Sequence, residues 1–374
     1  MRILVLVHEY PPVGGGGGKV AEDIAEGLAA KGHDIHIITS HLKGLSRRES
    51  RGRIYIKRVR CGRKFAYKAS FSSMLRYLVS GFFRAMQEIQ LWKPDIIHVH
   101  FAMPAGYMAY WLSVLTGVPY LLTVHLGDVP GGVPEKTDKW FKWVKPFTPA
   151  VWKKAKHVIA VSEFTKGLAL KHYNVPIQVI PNGIDLDRFN PGPITPNPIP
   201  RIIFAGRFME QKNPLQVIRV LARIKDLEWN CAMLGDGPLR SEVEIAIKET
   251  GLSDRISLPG WLTPDEVINH LRGNDILFMP SLSEGLPVIG VQALAMGNAI
   301  VASSNGGFID LVRPGENGYL ARPNETNAFA DSLRRLLEDP ERLLASRNNS
   351  LVIVKPFGLN QIVLEYEKIL SDII

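Results

Sequence analysis

The stretch that decides the fold is Pro191-Gly192-Pro193-Ile194-Thr195-Pro196-Asn197-Pro198-Ile199-Pro200, near the middle of the 374-residue chain. Five of its ten residues are proline, which stiffens the backbone and interrupts helices and sheets. On both sides of it, short β-branched runs alternate with helical patterns. The stretch therefore predicts a linker over 191–200 that joins an N-terminal domain, 1–190, to a C-terminal domain, 201–356.

The alternation of strand and helix indicates the fold class. Strands are predicted at 3–7, 34–39, 96–100, 120–125, 158–161 and 178–180, and after the linker at 202–205, 230–234, 256–259, 276–279 and 299–302. Helices are predicted at 19–31, 214–225, 238–250, 264–271, 287–296 and over the last 20 residues. Such alternation predicts an α/β protein with a parallel, doubly wound sheet in each domain. Ligands of these sheets bind at the carboxyl ends of the strands, so we expect the chemistry in a cleft between two facing domains.

Composition excludes several classes of protein. Hydrophobic residues make up 46% and charged residues 22% of the chain, which is ordinary for a folded protein and excludes wholesale disorder. The two cysteines, Cys61 and Cys231, are too few for a disulfide scaffold or a structural zinc site and suggest a reducing compartment. The apolar run 3–7 is too short for a signal peptide. Residues 96–127 contain no charged side chain, but Pro104 and Pro119 break the run, which favours buried strands over a membrane span.

The positive charge is concentrated in the N-terminal half. Residues 1–190 hold 27 Lys and Arg against 14 Asp and Glu, whereas residues 191–374 hold 18 against 22. Thirteen basic residues and one acid, Glu49, fall within 43–84. A second basic stretch, 136–156, places lysines between aromatic residues. Such a field attracts nucleic acid, an anionic membrane or a phosphorylated substrate. For 136–156, aromatic core residues with solvated lysines are an equal alternative.

Two loops offer groups that bind phosphate. Residues 14–18 are all glycine, between a predicted strand and a predicted helix, where bare N–H groups approach an anion; a flexible turn is the alternative. Arg207 and Lys212 follow the predicted strand 202–205, and two cations there suit a diphosphate; a solvated loop is the alternative.

Polar side chains at strand ends and helix starts offer sugar-binding groups. Glu284 precedes the helix predicted at 287–296, where it either caps the helix or binds hydroxyls, and Gln292 lies on that helix. His125 ends a predicted strand and either binds a ligand or is structural. Asp185 and Asp187 have no nearby histidine, so we predict no metal site there.

Taken together, the order and spacing of these motifs resemble retaining nucleotide-sugar glycosyltransferases of family 4, which have the GT-B fold. The resemblance spans the chain and is more specific in the C-terminal half. It rests on Gly15-Gly16-x-Gly18, Thr123-Val124-His125, Pro181-Asn182-Gly183-Ile184-Asp185, Ala205-Gly206-Arg207 with Lys212, Gly235-Asp236-Gly237-Pro238, Glu284-Gly285-Leu286-Pro287 and Gly306-Gly307.

The resemblance implies a role for each matching residue. Arg207 and Lys212 would neutralise the donor diphosphate, Glu284 would bind hydroxyls of the donor sugar, and His125 would contact the sugar or support the transition state. These four are the implied catalytic residues. The implied donor-binding residues are Gly15, Gly16, Gly206, Arg207, Lys212, Leu262, Glu284, Gly285, Leu286, Pro287, Val288 and Gln292. The last helix, 357–374, would return to the N-terminal domain.

One position departs from the family. Its second acidic residue, which would hold the ribose, is Gln292 here, and an uncharged amide makes a weaker hydrogen bond than a carboxylate. The resemblance implies transfer of a hexose-type sugar from a nucleoside diphosphate sugar with retention, no metal and no cofactor. No pair of acid–base carboxylates is evident, which argues against a hydrolase.

The basic N-terminal half indicates an anionic, membrane-associated acceptor, such as a lipid-linked saccharide or glycolipid. We expect a cytoplasmic protein that is able to lie peripherally on the inner face of the cell membrane, with no nucleic-acid partner. Three alternatives remain: a nucleotide-sugar epimerase of the same fold, a non-catalytic binder of sugar nucleotides, and a nucleic-acid-binding protein. The last has only the basic charge in its favour, since no nucleic-acid-binding motif is evident.

Overall fold

The computed structural model describes residues 1–66, 69–134, 141 and 144–374. These residues form two compact units, one of Met1–Gly183 with Leu359–Ile374 and one of Ile184–Gly358. Each unit contains its own largely parallel sheet covered by helices. The predicted fold class, with two doubly wound α/β domains, is therefore confirmed.

The first unit contains an eight-stranded sheet in the order β3-β4-β2-β1-β5-β6-β7-β8, parallel except for β3. Its strands are β1 (Arg2–Leu6), β2 (Asp34–Leu42), β3 (Arg48–Arg51), β4 (Ile54–Arg63), β5 (Ile96–His100), β6 (Tyr120–Val124), β7 (His157–Ala160) and β8 (Gln178–Val179). Its helices before the second unit are α1 (Gly16–Ala30), α2 (Phe71–Trp92), α3 (Tyr107–Thr116), α4 (Thr148–Lys154) and α5 (Glu163–Leu170).

The second unit contains a six-stranded parallel sheet in the order β11-β10-β9-β12-β13-β14. Its strands are β9 (Arg201–Ala205), β10 (Asn230–Leu234), β11 (Ile256–Gly260), β12 (Ile276–Met279), β13 (Ala299–Ser303) and β14 (Gly318–Ala321). Its helices are α6 (Pro214–Leu221), α7 (Arg240–Glu249), α8 (Pro264–Gly273), α9 (Val288–Ala295), α10 (Thr326–Leu337) and α11 (Pro340–Ile353).

The charge-free run 96–127 is the centre of the first sheet. Every residue of β5 and of β6 is buried, as parallel strands covered on both faces require. Between them, α3 ends at Gly117, whose left-handed backbone (φ 77°) lets the chain turn into β6. None of the helices among the described residues combines the length and the apolar character that a membrane span requires.

The basic segment 43–84 folds into the β3–β4 hairpin and the first half of α2, elements that the sequence analysis did not predict. Part of its charge is neutralised inside the unit. Buried Arg58 lies 2.7 Å from a carboxylate oxygen of Glu49, and buried Arg63 lies 3.0 Å from one of Glu9. These buried arginines are therefore not available to an anionic partner. Lys68 lies outside the described residues.

The proline-rich segment 191–200 is attached to the second unit. The side-chain amide of Asn197 donates to both carboxylate oxygens of Asp275, at 3.0 Å each, and Arg347 donates to the same buried carboxylate at 2.5 Å. The chain passes between the compact units at Gly183–Ile184 and at Gly358–Leu359.

The last helix, α12 (Leu359–Ile373), returns to the first unit, as predicted. Val363 packs so closely against Gly27 of α1 that a Cβ there would lie 2.3 Å from a Val363 methyl carbon. The Tyr366 hydroxyl is 3.3 Å from the Thr123 hydroxyl of β6. Gly27 of α1 thus leaves the space in which α12 packs against the first unit.

Candidate functional site

Strand order reverses in the second unit between β9 and β12. From β9 the chain proceeds outward to β10 and β11 on one side, and it returns to β12 and proceeds to β13 and β14 on the other. Adjacent loops diverge at such a switch point and leave a crevice at the carboxyl ends of the two strands. Arg207 and Lys212 follow β9, and Glu284 follows β12. The topology therefore brings these three predicted residues to one place.

An ion pair connects the two sides of this crevice. The Lys212 Nζ lies 2.5 Å from Oε1 of Glu284, and both side chains are largely buried. The Lys212 side chain passes beside Gly206, where a Cβ would lie 3.4 Å from its Cδ. Arg207 is half-buried in the same loop. The loops at the crevice thus carry a paired ammonium and carboxylate, with an arginine in the same loop as the ammonium, and these groups are able to bind phosphate and hydroxyl groups.

Two glycines hold the loop that carries Glu284. The Gly307 N–H donates to the Glu284 carbonyl at 3.0 Å. A Cβ at Gly307 would lie 1.6 Å from the Gly285 carbonyl oxygen, and one at Gly306 would lie 2.6 Å from the Glu284 carbonyl oxygen. Only glycine permits this approach of two backbones. The two glycines therefore hold the backbone at Glu284 in place.

The other donor-binding residues predicted in this unit lie around the same crevice. Gly285 and Leu286 continue the loop, Pro287 is the N-terminal cap of α9, and Val288 is the first residue of this helix, whose first N–H groups have no partner within the helix. Gln292 is half-buried one turn further along α9. Leu262 is the exception, because it is half-buried after β11, and the two strands β10 and β9 separate β11 from β12.

In the sheet of the first unit, the strand order reverses between β1 and β5. Gly15 precedes α1 as its N-terminal cap and Gly16 is its first residue, so their N–H groups lie at the positive end of the helix. A Cβ at Gly17 would lie 2.6 Å from the Phe101 ring and 3.3 Å from the His125 ring. The structure thus brings the glycine loop and His125 together, and it shows that Gly17, which the sequence analysis did not single out, makes the close approach.

His125 belongs to a cluster of buried imidazoles. Its ring centroid is 5.9 Å from that of His100, which is 4.4 Å from that of His98. Burial lowers the pKa of His125 to about 4 and that of His98 to about 3, and it holds the pKa of His100 well below the usual value. All three are therefore neutral near pH 7. Nε2 of His125 and both ring nitrogens of His100 are buried without a hydrogen-bond partner among the described residues.

Asp128 is a site residue that the sequence analysis missed. Its carboxylate accepts a hydrogen bond from the His125 N–H at 2.9 Å. Burial nevertheless raises its pKa to about 7. The signal in the sequence is that Asp128 is the first charged residue after the run 96–127.

The pair Asp185 and Asp187 makes a turn. Oδ1 of Asp185 accepts hydrogen bonds from the backbone N–H groups of Asp187 and Arg188, at 3.0 and 3.2 Å. Among the residues that the structure describes, there is no group of three or more His, Cys, Asp and Glu side chains placed to hold a metal ion.

Two family descriptions match successive parts of the sequence. "Glycosyltransferase Family 4" matches residues 14–188, and "Glycosyl transferases group 1" matches residues 192–350. The chain belongs to glycosyltransferase family 4. The resemblance inferred from the motifs is thus confirmed, and this protein is a glycosyltransferase.

The fold of this family 4 glycosyltransferase has close structural counterparts. Sucrose-phosphate synthase from Thermosynechococcus elongatus superposes with a TM-score of 0.87 at 21% identity, over 100% of this chain and 98% of that one. The likeness shows the GT-B fold.

Curated relatives are glycosyltransferases with different acceptors. A 2-deoxystreptamine glucosyltransferase from Streptomyces kanamyceticus is 28% identical, over 75% of this chain and 79% of its own. A UDP-Gal:alpha-D-GlcNAc-diphosphoundecaprenol alpha-1,3-galactosyltransferase from Escherichia coli is also 28% identical, over 71% of this chain and 72% of its own.

Proposed function

We propose that this glycosyltransferase moves a hexose-type sugar from a nucleoside diphosphate sugar to an acceptor hydroxyl, with retention of configuration and without a metal or cofactor. The observation that carries the proposal is the placement of Arg207, Lys212 and Glu284 at the β9–β12 reversal. Two cations beside a carboxylate suit a donor that presents a diphosphate and sugar hydroxyls together.

The reaction breaks the bond between the anomeric carbon and the diphosphate oxygen. Negative charge grows on the departing diphosphate, so cations already in position stabilise the transition state more than the ground state. Arg207 and Lys212 fill that role, because Glu284 keeps the Lys212 ammonium in the crevice and the remaining N–H groups of this ammonium donate to the phosphate. Glu284 also accepts hydrogen bonds from sugar hydroxyls.

The acceptor oxygen forms the new bond to the anomeric carbon, and its proton passes to an oxygen of the departing diphosphate. This route needs no base from the protein. His125 is suited to the route because its neutral imidazole donates or accepts one hydrogen bond and does not oppose the positive charge that develops on the sugar. Attack on the face from which the diphosphate leaves gives retention.

We propose a lipid-linked saccharide or glycolipid with anionic groups as the acceptor. The excess of Lys and Arg in residues 1–190 supports an anionic partner. The relative from Escherichia coli acts, by its name, on a diphosphoundecaprenol-linked sugar. Such an acceptor fits a cytoplasmic enzyme that lies on the inner face of the cell membrane.

Thermal shift with UDP, GDP and ADP, each with and without EDTA, tests donor binding and its independence of metal. We expect one diphosphate to raise Tm equally in both conditions. Incubation with the corresponding nucleotide sugars and lipid-linked saccharides then tests transfer, and NMR of the product gives its anomeric configuration. An inverted product, or epimerisation of the donor without any acceptor, would contradict the proposal.

A further inference from the structure

One face of helix α2 carries large apolar side chains that the first unit leaves uncovered. Phe71, Leu75, Val79 and Phe83 recur every four residues, and each exposes more than half of its surface, up to 69% for Phe83. Residues four apart lie on the same side of a helix. The four side chains therefore form a stripe along about three turns of α2.

This stripe is separate from the face that packs on the sheet. Tyr77, Gly81 and Ala85 are buried, and the Tyr77 hydroxyl donates to the Ile38 carbonyl at 3.0 Å. An amphipathic helix needs one apolar face for the core. α2 has that face and, on roughly the opposite side of the helix, a second apolar face that core packing does not explain.

Helix α3 extends the uncovered surface. It lies beside α2, where the Met108 sulfur occupies the space over Gly81. Its outer side exposes Trp111, Val114 and Leu115. We call these three residues and the α2 stripe the α2–α3 apolar surface. Grouped exposed apolar side chains of this kind mark an interaction site.

Cations border this surface on the α2 side. Arg76 lies on α2 next to the stripe, and the carbonyl of Arg60 in β4 accepts a hydrogen bond from the Ser80 hydroxyl of α2 at 3.2 Å. Lys64 follows β4, and all three basic side chains are exposed. Among the described residues, no acidic side chain forms an ion pair with any of the three.

Acidic side chains are scarce on both helices and around them. Residues 69–134 contain Glu88, Asp95 and Asp128, of which Glu88 and Asp128 are buried. An apolar stripe bordered by exposed cations complements a lipid surface with acyl chains beneath anionic headgroups. Trp111 suits the boundary between them, where an indole places its ring in apolar and its N–H in polar surroundings.

We infer that the α2–α3 apolar surface docks the enzyme on an anionic lipid bilayer, with α2 lying in the plane of the headgroups. The inference rests on the proposed function, because a lipid-linked acceptor is reached at that surface, and it names the residues that make the contact. Phe71, Leu75, Val79 and Phe83 enter the acyl boundary, while Arg60, Lys64 and Arg76 contact lipid phosphates.

Co-sedimentation with vesicles tests this docking. Vesicles are made of phosphatidylcholine alone and of equal parts phosphatidylcholine and phosphatidylglycerol, each at low and high salt. We expect the wild-type chain to bind the mixed vesicles, more weakly at high salt. The double variant Leu75→Glu/Phe83→Glu loses apolar contact and gains repulsion, so its affinity falls by at least about tenfold.

Matched variants in the second unit control for general effects. Ile245 on α7 is 54% exposed, so Ile245→Glu makes a comparable exposed substitution outside the surface and leaves binding unchanged. Arg60→Gln/Arg76→Gln weakens binding to the mixed vesicles and reduces its salt dependence. Arg219→Gln/Lys248→Gln removes the same net charge from the second unit and has little effect.

Failure of the docking and failure of the proposed function give different results. Every variant is also tested for the Tm shift with nucleoside diphosphates, which reports on the second unit and stays at the wild-type value. Vesicle binding by Leu75→Glu/Phe83→Glu at the wild-type level overturns the inference, whatever the Tm shifts show. A wild-type dimer that this variant disrupts, with no vesicle binding by either, also overturns it and assigns the surface to a second copy. Surface-dependent vesicle binding without any nucleotide shift supports the docking and contradicts the proposed donor.

Discussion

The Lys212 ammonium lies 2.5 Å from the Glu284 carboxylate, and the two side chains come from loops that follow neighbouring strands β9 and β12. Both are largely buried, so neither charge is well solvated if the other is removed. In the absence of a donor the pair keeps the ammonium in the crevice. We therefore expect a diphosphate that enters the crevice to find the cation already in position.

Lys212→Ala tests the cation directly. We expect kcat/KM for transfer to fall by about 10²–10³-fold, since a positioned charge on the leaving group is lost. The Tm shift with the preferred nucleoside diphosphate disappears as well. Lys248→Ala, on the exposed side of α7, is the control and keeps wild-type activity. Full transfer activity in Lys212→Ala would exclude Lys212 from the donor site.

Glu284→Gln retains the shape of the side chain and removes its charge. We expect the free energy of unfolding to decrease by about 1–3 kcal/mol, because Lys212 is left without a counter-charge. Transfer slows by at least about tenfold, because the sugar hydroxyls lose a charge-assisted hydrogen bond. Urea denaturation and initial rates measure the two effects, with exposed Glu249→Gln as the control. Unchanged stability would show that the ion pair contributes nothing in solution.

The sequence predicted five of the six strands of the second unit, whereas β14, α10 and α11 were not predicted. Strands β10 and β12 have the predicted bounds, and the Arg207 and Glu284 loops lie at the predicted strand ends. The reason is that buried parallel strands appear as short apolar runs and their loops carry glycine and proline. Both the apolar runs and the loop residues are local features, so they are recognisable in one sequence without knowledge of distant contacts.

The β3–β4 hairpin of the first unit was missed for an identifiable reason. Inward positions of β4 include Arg58 and Arg63, whose charges are neutralised by Glu49 and Glu9 from other segments. The strand therefore lacks the alternation of apolar and polar residues that marks half-buried strands. Ion pairs between residues that are distant in the sequence thus allow charged side chains at buried positions of β4, where the pattern would require apolar ones.

The histidine cluster was missed for a related reason. His98 and His100 were predicted as strand residues, but a sequence does not show which buried side chains share a site. Their contacts with His125 depend on the order of β5 and β6 in the sheet.

Gly307→Ala tests the support of the Glu284 loop. The added Cβ would lie 1.6 Å from the Gly285 carbonyl oxygen, so one backbone segment must move. We expect a loss of about 2–3 kcal/mol in unfolding free energy and loss of the nucleotide Tm shift. Gly273→Ala, where no atom lies within 4 Å of the added Cβ, is the control and folds normally. A Gly307→Ala enzyme with wild-type donor affinity would show that this loop does not shape the site.

Asp128→Asn tests the buried carboxyl beside His125. Because burial raises the Asp128 pKa from 3.8 to about 7, the folded wild-type chain retains a proton that the unfolded chain releases between these pH values. Wild-type stability from this group therefore falls as pH rises through that window. Asp128→Asn has no carboxyl group to ionise, so its free energy of unfolding does not decrease in this way. The free energy of unfolding of the variant minus that of the wild type therefore rises by roughly 1.4 kcal/mol per pH unit from pH 4 to 7. A difference that does not vary with pH would show that Asp128 is ionised throughout.

Gln292→Glu restores the family's second carboxylate. A charged acceptor binds ribose hydroxyls more strongly than an amide does, by about 1 kcal/mol. We therefore expect KM for the donor to fall about fivefold, and to rise in Gln292→Ala. Steady-state kinetics at saturating acceptor measures both. If neither variant alters KM, Gln292 does not contact the nucleotide.

A crystal structure of the wild-type enzyme with the nucleoside diphosphate that gives the largest Tm shift tests the central claim most directly. We predict that the diphosphate lies within hydrogen-bond distance of the Lys212 ammonium and the Arg207 guanidinium, at the carboxyl ends of β9 and β12. A diphosphate bound elsewhere would contradict the account.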